Sequence, residues 1–197
     1  ELQLELEKNL KRQQGVLKSS LQNYGFQFTG DGNLKNYEEQ LMSMEKTLDS
    51  YEKAYEKAFA KTDRITYQAM EAFIHNLNTM HSRAGAQVPF SSVNFGTDTS
   101  PEGRMVIKNF LLATERGLGN GETPIFPVSI FKVKEGVNFN KEDKNYDLFR
   151  LACEVSAKRL FPNFAFIDAP FNLSFYKEGD VNTEVSYMGC RTRVVAD

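Results

Sequence analysis

Two cysteines in 197 residues, Cys153 and Cys190, are too few for a disulfide framework and lack metal-ligand spacing. A reducing, cytoplasmic setting fits that usage, and no metal is expected. Uninterrupted apolar runs reach only a few residues, which excludes a helical membrane span. No basic and apolar pair of segments opens the chain as an export signal would. The formal net charge is −2, without an extended block of Lys or Arg. That excludes a nucleic-acid polymer as partner but leaves room for a single nucleotide held by a few dipoles. Internal repeats, low-complexity segments, a Ser/His/Asp order and paired carboxylates are also missing. The chain lacks an initiating Met and ends at Val194-Val195-Ala196-Asp197 without a stop signal, so both ends are expected to be cut from a longer protein.

What is present, 41% apolar and 25% charged residues, suits a soluble domain with a sizeable core, alone or with a helical appendage. The first third is helical in pattern. Leu6, Leu10, Leu17 and Leu21 suggest one helix, broken by Gly25 and closed by a turn over residues 29–33. Leu34, Tyr37, Leu41, Met44, Leu48, Tyr51, Tyr55 and Phe59 then recur every three or four residues, a seam on a second helix. The two form a predicted hairpin over 1–62, which packs on its own domain or meets another subunit. A third helix is expected from Asp63 to about Met80, with Met70, Phe73, Ile74, Leu77 and Met80 inward.

Beyond it the pattern alternates. Strands are predicted over 87–95, 124–132, 164–168 and 192–195. Helices are predicted from Ser100-Pro101-Glu102, a capped start, to about Gly117, and from Tyr146 to Leu160. Strand, helix, strand, helix, strand implies an α/β fold with a largely parallel sheet over 63–197, whose sites collect beyond strand ends.

Cys190 follows Gly189, which allows a tight turn, and precedes Arg191 and Arg193, which favour thiolate character and can hold anions. Read alone it is either a reactive thiol or an ordinary small residue at a strand start. Cys153 reads as a packing residue within a helix. The glycine-rich loop 117–121 lies between helix and strand, the wrong order for a phosphate loop, and reads as a connection. His75 and His81 are poorly spaced to share a metal; the loop 81–86 mixes cation, polar and small residues suited to folding over a nucleotide. Ser91, Ser92 and Asn94 are polar residues on a largely apolar strand and need partners from protein or ligand.

Four blocks carry a family resemblance: HNLNTMHSRAGAQVPFSS at 75–92, NFGTDTSPEGR at 94–104, GLGNGETPIFP at 117–127 and MGCRTR at 188–193. In this order they resemble the anaerobic, class III glycyl-radical ribonucleoside-triphosphate reductases, over roughly residues 68–197. The resemblance implies part of a ten-stranded α/β barrel over 63–197 that ends at a finger loop, preceded by the helical hairpin as dimer and effector region. It implies Cys190 as the catalytic thiyl residue, Ser91, Ser92 and Asn94 beside the substrate, and Ser82, Arg83 and Gly85 in a specificity loop. The implied cofactor is a glycyl radical on a part of the chain not present here. Implied partners are a ribonucleoside triphosphate, deoxynucleotide or ATP effectors, a second subunit in a homodimer and a radical-SAM activating enzyme. The glycyl-radical segment, zinc-binding cysteines, nucleotide-sensing domain and partner cysteine of the family are not in this stretch, so by itself it is expected to be inert. The alternatives are a non-catalytic nucleotide-binding or dimerisation module, and a glycyl-radical enzyme for acyl or diol substrates, against which the blocks around Arg83 and Asn94 argue.

Overall fold

A computed structural model describes residues 12, 16, 31–81, 84, 85, 87–189 and 192–194, and of 31–38 and 181 only the backbone. The chain divides into two compact units, Glu1–Thr62 and Asp63–Asp197. The expected first helix lies outside the described residues apart from Arg12 and Val16, both helical.

Helix α1 (Asp31–Thr79) runs without interruption where the sequence pattern suggested a turn at 31–33 and a fresh start at Asp63. No Gly or Pro occurs between Gly32 and Gly85, so nothing in the chain breaks the ladder. Within the first unit Leu41, Tyr51, Tyr55 and Phe59 are exposed, while Met44 and Leu48 are half-buried. Tyr55 and Phe59 stack on one another, one helical turn apart.

The second unit is built on a parallel sheet. β1 (Ser92–Phe95), β2 (Val128–Val133) and β3 (Asn163–Phe166) pair in that order. α2 (Pro101–Arg116) links the first two strands and α3 (Tyr146–Arg159) the second and third. All six residues of β2 are buried, as a central parallel strand requires. Strand starts are shorter than the apolar runs implied, because the Pro-containing stretches before β1 and β2 join no regular ladder.

The two sheet faces have different covers. Phe131 and Val133 pack on Ile107 and Leu111 of α2 and on Leu148, Ala152 and Val155 of α3. Next to them Ile74 of α1 meets Phe110 and Ala113 of α2, with Val93 and Phe95 beneath. Of the expected inward set on that helix only Ile74 is fully buried; Phe73 and Met80 are exposed at 40% and 58%. Asp63 explains part of the shift: its carboxylate accepts from Asn109 (2.8 Å) and pairs with Lys108 (3.0 Å), drawing α1 onto α2 through polar contacts. Those contacts, Asn109 first, hold its carboxyl below the ordinary range.

α2 begins as predicted. The Ser100 Oγ accepts from the Gly103 N–H at 3.0 Å, with Pro at the start of the helix. Replacing Ser100 by alanine is expected to lower stability by about 1 kcal/mol, read as a lower urea midpoint at unchanged slope.

The opposite face bears Val128, Ile130, Ala165 and Ile167, covered by Val185 and Tyr187. Those last two belong to the stretch between the predicted strands 164–168 and 192–195, for which the sequence pattern suggested no regular element. It contains α4 (Pro170–Leu173), a short 3-10 turn (Val181–Thr183) and a strand, β4 (Ser186–Met188). β4 pairs antiparallel with β5 (Thr192–Val194) and so forms a separate two-stranded sheet.

Candidate functional site

Cys190 and Arg191 lie outside the described residues, as do Ser82 and Arg83. What leads to Cys190 is described. β4 and β5 pair Tyr187 with Arg193 and Met188 with Thr192, and the chain between them is residues 189–191. Gly189 is buried and has φ +61°, a conformation that L side chains rarely adopt. An added Cβ there would sit 3.4 Å from the Phe90 ring.

Pairing along the parallel ladder puts Ser92 and Asn94 on the face covered by β4, opposite Val128 and Ile130 in register. Asn94 is engaged by the protein itself: its Nδ2 donates to the Tyr187 carbonyl and its Oδ1 accepts from the Tyr187 N–H, both at 2.8 Å. Ser91 precedes the strand; its Oγ donates to the Pro89 carbonyl at 3.4 Å and its own carbonyl accepts from the Val128 N–H. Ser92 is half-buried. A cavity of about 310 Å³ opens beside this group, lined by Ile130, Asn163, Phe166, Phe171 and Tyr187.

Gly85 is exposed at φ +104° with open space around it, as a turn glycine in the 81–86 loop should be. His75 and His81 are both exposed, and His75 Nδ1 lies 3.4 Å from the Thr79 hydroxyl. Arg193 donates to the Phe171 carbonyl at 2.6 Å and lies over the Phe171 and Phe175 rings, a cation–π position rather than an anion clamp. The packing role expected for Cys153 is overturned: it is exposed, one residue past the buried Ala152 that faces the core. Desolvation, then Glu154, pushes its thiol up, away from thiolate character.

The loop 117–121 is structural. Arg159 donates to the carbonyls of Glu115, Arg116 and Gly121, closing the end of α2 onto the loop.

Two clusters escaped the sequence reading. Glu184 bridges Lys132 and Lys134 on the β4-covered face, each contact at 3.0 Å. The Glu184 side chain is 9% exposed, Lys132 11% and Lys134 26%. Burial alone would raise the Glu184 carboxyl, but the two ammonium groups outweigh it and hold it below its ordinary value. The second cluster is a pair of fully buried asparagines. Asn138 donates to the carbonyls of Gly96 and Lys132; Asn145 donates to those of Gly96 and Asp98 and accepts from Arg104. The NFGTDTSPEGR block is therefore held in place by side chains more than thirty residues away. No spacing signal marks them. Among the described residues, no group of three or more His, Cys, Asp or Glu side chains could hold a metal.

The second unit is thus an α/β domain that presents the paired strands β4 and β5 on the sheet face opposite α2 and α3. A family model of the anaerobic ribonucleoside-triphosphate reductases matches residues 17–196, and the chain belongs to that family. It is 40% identical over 136 residues to the anaerobic ribonucleoside-triphosphate reductase of Enterobacteria phage T4, covering 68% of this chain and 22% of the phage protein. Similar matches are the proteins of that name from Escherichia coli (34%, covering 68% and 18%) and Haemophilus influenzae (38%, covering 54% and 15%). The chain spans about a fifth of the length of these relatives.

Proposed function

We propose that this chain is a section of the catalytic barrel of a reductase that converts ribonucleoside triphosphates to deoxyribonucleotides, with Cys190 as the residue that carries the chemistry. The carrying observation is the MGCRTR block inside the family match, whose Met188 ends β4 and whose Thr192 begins β5, with β4 bonded to Asn94 through Tyr187. In the reaction a Cys190 thiyl takes the hydrogen from C3′ of the ribose, so that an S–H bond forms and the C3′–H bond breaks. The 2′-hydroxyl takes up a proton and leaves as water. An external two-electron reductant (formate, oxidised to carbon dioxide, or a thioredoxin-type dithiol, oxidised to a disulfide) supplies the electrons and the hydrogen that C2′ gains. Sulfur then returns its hydrogen to C3′, which restores the thiyl. The radical originates on a glycine elsewhere in the full-length chain, which a radical-SAM enzyme activates. This chain's task is to hold sulfur near the sugar and keep water away.

Ser91 and Ser92 adjoin the substrate in this reading, with Asn94 next to them and its amide bonded to the Tyr187 backbone, and Ser82, Arg83 and Gly85 belong to a loop that reports effector identity. One-sided pairing of β1 and β3 among the described residues supports continuation of the sheet into a ten-stranded barrel. Exposed Leu41, Tyr51, Tyr55 and Phe59 support residues 1–62 as the region where two subunits of a cytoplasmic homodimer meet and deoxynucleotide or ATP effectors bind. In the full-length, anaerobically activated protein, Cys190→Ser is expected to abolish deoxynucleotide formation while the glycyl-radical EPR signal persists. Undiminished turnover removes the assignment.

A further inference from the structure

We infer that Asn94 is a positioning residue for Cys190, acting through the backbone of Tyr187; the inference rests on the reading of Cys190 just given. Tyr187 is the third residue before Cys190. Its N–H and C=O are both taken by the one Asn94 amide, so a single side chain supplies the donor and the acceptor that a neighbouring strand would supply. β4 has its ladder to β5, yet β5 is no part of the main sheet. Asn94 therefore bonds the two sheets together directly, and it does so at the strand that leads to the cysteine.

Further contacts fix the same stretch. The Tyr187 hydroxyl donates to Asn172 Oδ1 at 3.2 Å, and Asn172, 2% exposed, donates to the Phe166 carbonyl at the end of β3. The Phe90 ring, four residues before Asn94, lies 3.4 Å from where a Cβ on Gly189 would sit, at van der Waals range. Residues 90–94 thus bond β4 at Tyr187 and flank Gly189, the residue that immediately precedes Cys190 in sequence. β1 itself is fixed by its parallel ladder to β2. A thiyl transfers hydrogen only across a short, aligned gap, so a small drift of this strand costs rate without costing substrate binding.

Only asparagine fits the clasp. Aspartate keeps the acceptor but sets a carboxylate against the Tyr187 carbonyl, alanine removes both partners, and glutamine's extra methylene moves the amide out of register.

The test compares Asn94→Ala and Asn94→Asp with Cys190→Ser in the full-length, activated reductase. Both Asn94 variants are expected to lose kcat by roughly 10- to 100-fold, with KM for the nucleotide nearly unchanged and the glycyl-radical EPR signal intact. Should the alanine variant fail to accumulate, the near-isosteric aspartate variant carries the test alone. A raised KM at unchanged kcat would make Asn94 a substrate contact and overturn the inference, as would turnover equal to the parent. If Cys190→Ser is dead while both Asn94 variants turn over normally, only the positioning role falls; if Cys190→Ser turns over, the reading of Cys190 falls first.

Discussion

Glu184→Ala is expected to destabilise the chain by about 3 kcal/mol, because it leaves a buried cation without its partner. Lys132 is the costly one. Its side chain is 11% exposed on a strand buried along its whole length, whereas Lys134 at 26% can still reach water and faces the Tyr176 ring at 4.9 Å. The pair as a whole need not be strongly stabilising, since desolvation of both ions offsets their attraction. Deleting one member is a different matter. The double variant Lys132→Met with Glu184→Leu, which removes the buried charge entirely, is therefore expected to recover most of the loss. Urea unfolding of the chain measures both. A loss below about 1 kcal/mol for Glu184→Ala would mean that Lys132 reaches water and that the charge is not buried in solution.

The same cluster sets an acid dependence. Because the folded Glu184 carboxyl lies below its ordinary value of 4.5, the unfolded chain binds a proton there first as pH falls. Its contribution is fully present above about that value and is lost as pH drops through the depressed folded value. Glu184→Gln should show a flatter decline of stability in that acid range.

What the sequence made legible was whatever depends on neighbours along the chain. Ser100-Pro101-Glu102 announced α2 because capping uses residues within one turn. The alternation after Gly85 announced a parallel α/β sheet because its connections are helices. The continuous α1 was readable too, in the lack of any Gly or Pro after Gly32, yet the change of seam near Asp63 suggested a boundary. What stayed hidden depends on partners far apart. β4 is three residues long and its cover of Val128 and Ile130 is a tertiary fact. Asn94 was flagged as a polar strand residue in need of a partner, but nothing local identified Tyr187, 93 positions on. Cys153 shows the converse. A small apolar residue in a helix invites a core placement, but the neighbouring Ala152 takes that position and one residue of rotation carries the thiol into solvent.

Asn138→Ala should cost about 3 kcal/mol, the sum of several unmet backbone groups less what relaxation returns. Asn138 is fully buried and sits in the connection after β2. Its Nδ2 donates to the carbonyls of Gly96 (3.0 Å) and Lys132 (2.8 Å), and its Oδ1 accepts from the Lys134 N–H (2.9 Å). Gly96 keeps a second donor in Asn145, so its carbonyl is not stranded; the losses fall on Lys132 and Lys134. Water cannot easily replace the amide, since Gly96 has its backbone so close to β2 that an added Cβ would lie 2.8 Å from the Lys132 carbonyl. Asn138→Asp should be at least as damaging at neutral pH: the carboxylate retains the acceptor, loses both donors and puts a charge among carbonyl oxygens. Because the amide joins the end of β1 to the end of β2, its loss should also loosen the start of α2, where Asp98 holds the Ser100 N–H. Hydrogen exchange at residues 96–104 should therefore quicken in Asn138→Ala beyond the change in global stability. An Asn138→Ala chain with parental stability and parental exchange there would mean that the tie between the two strand ends is made by the ladder alone.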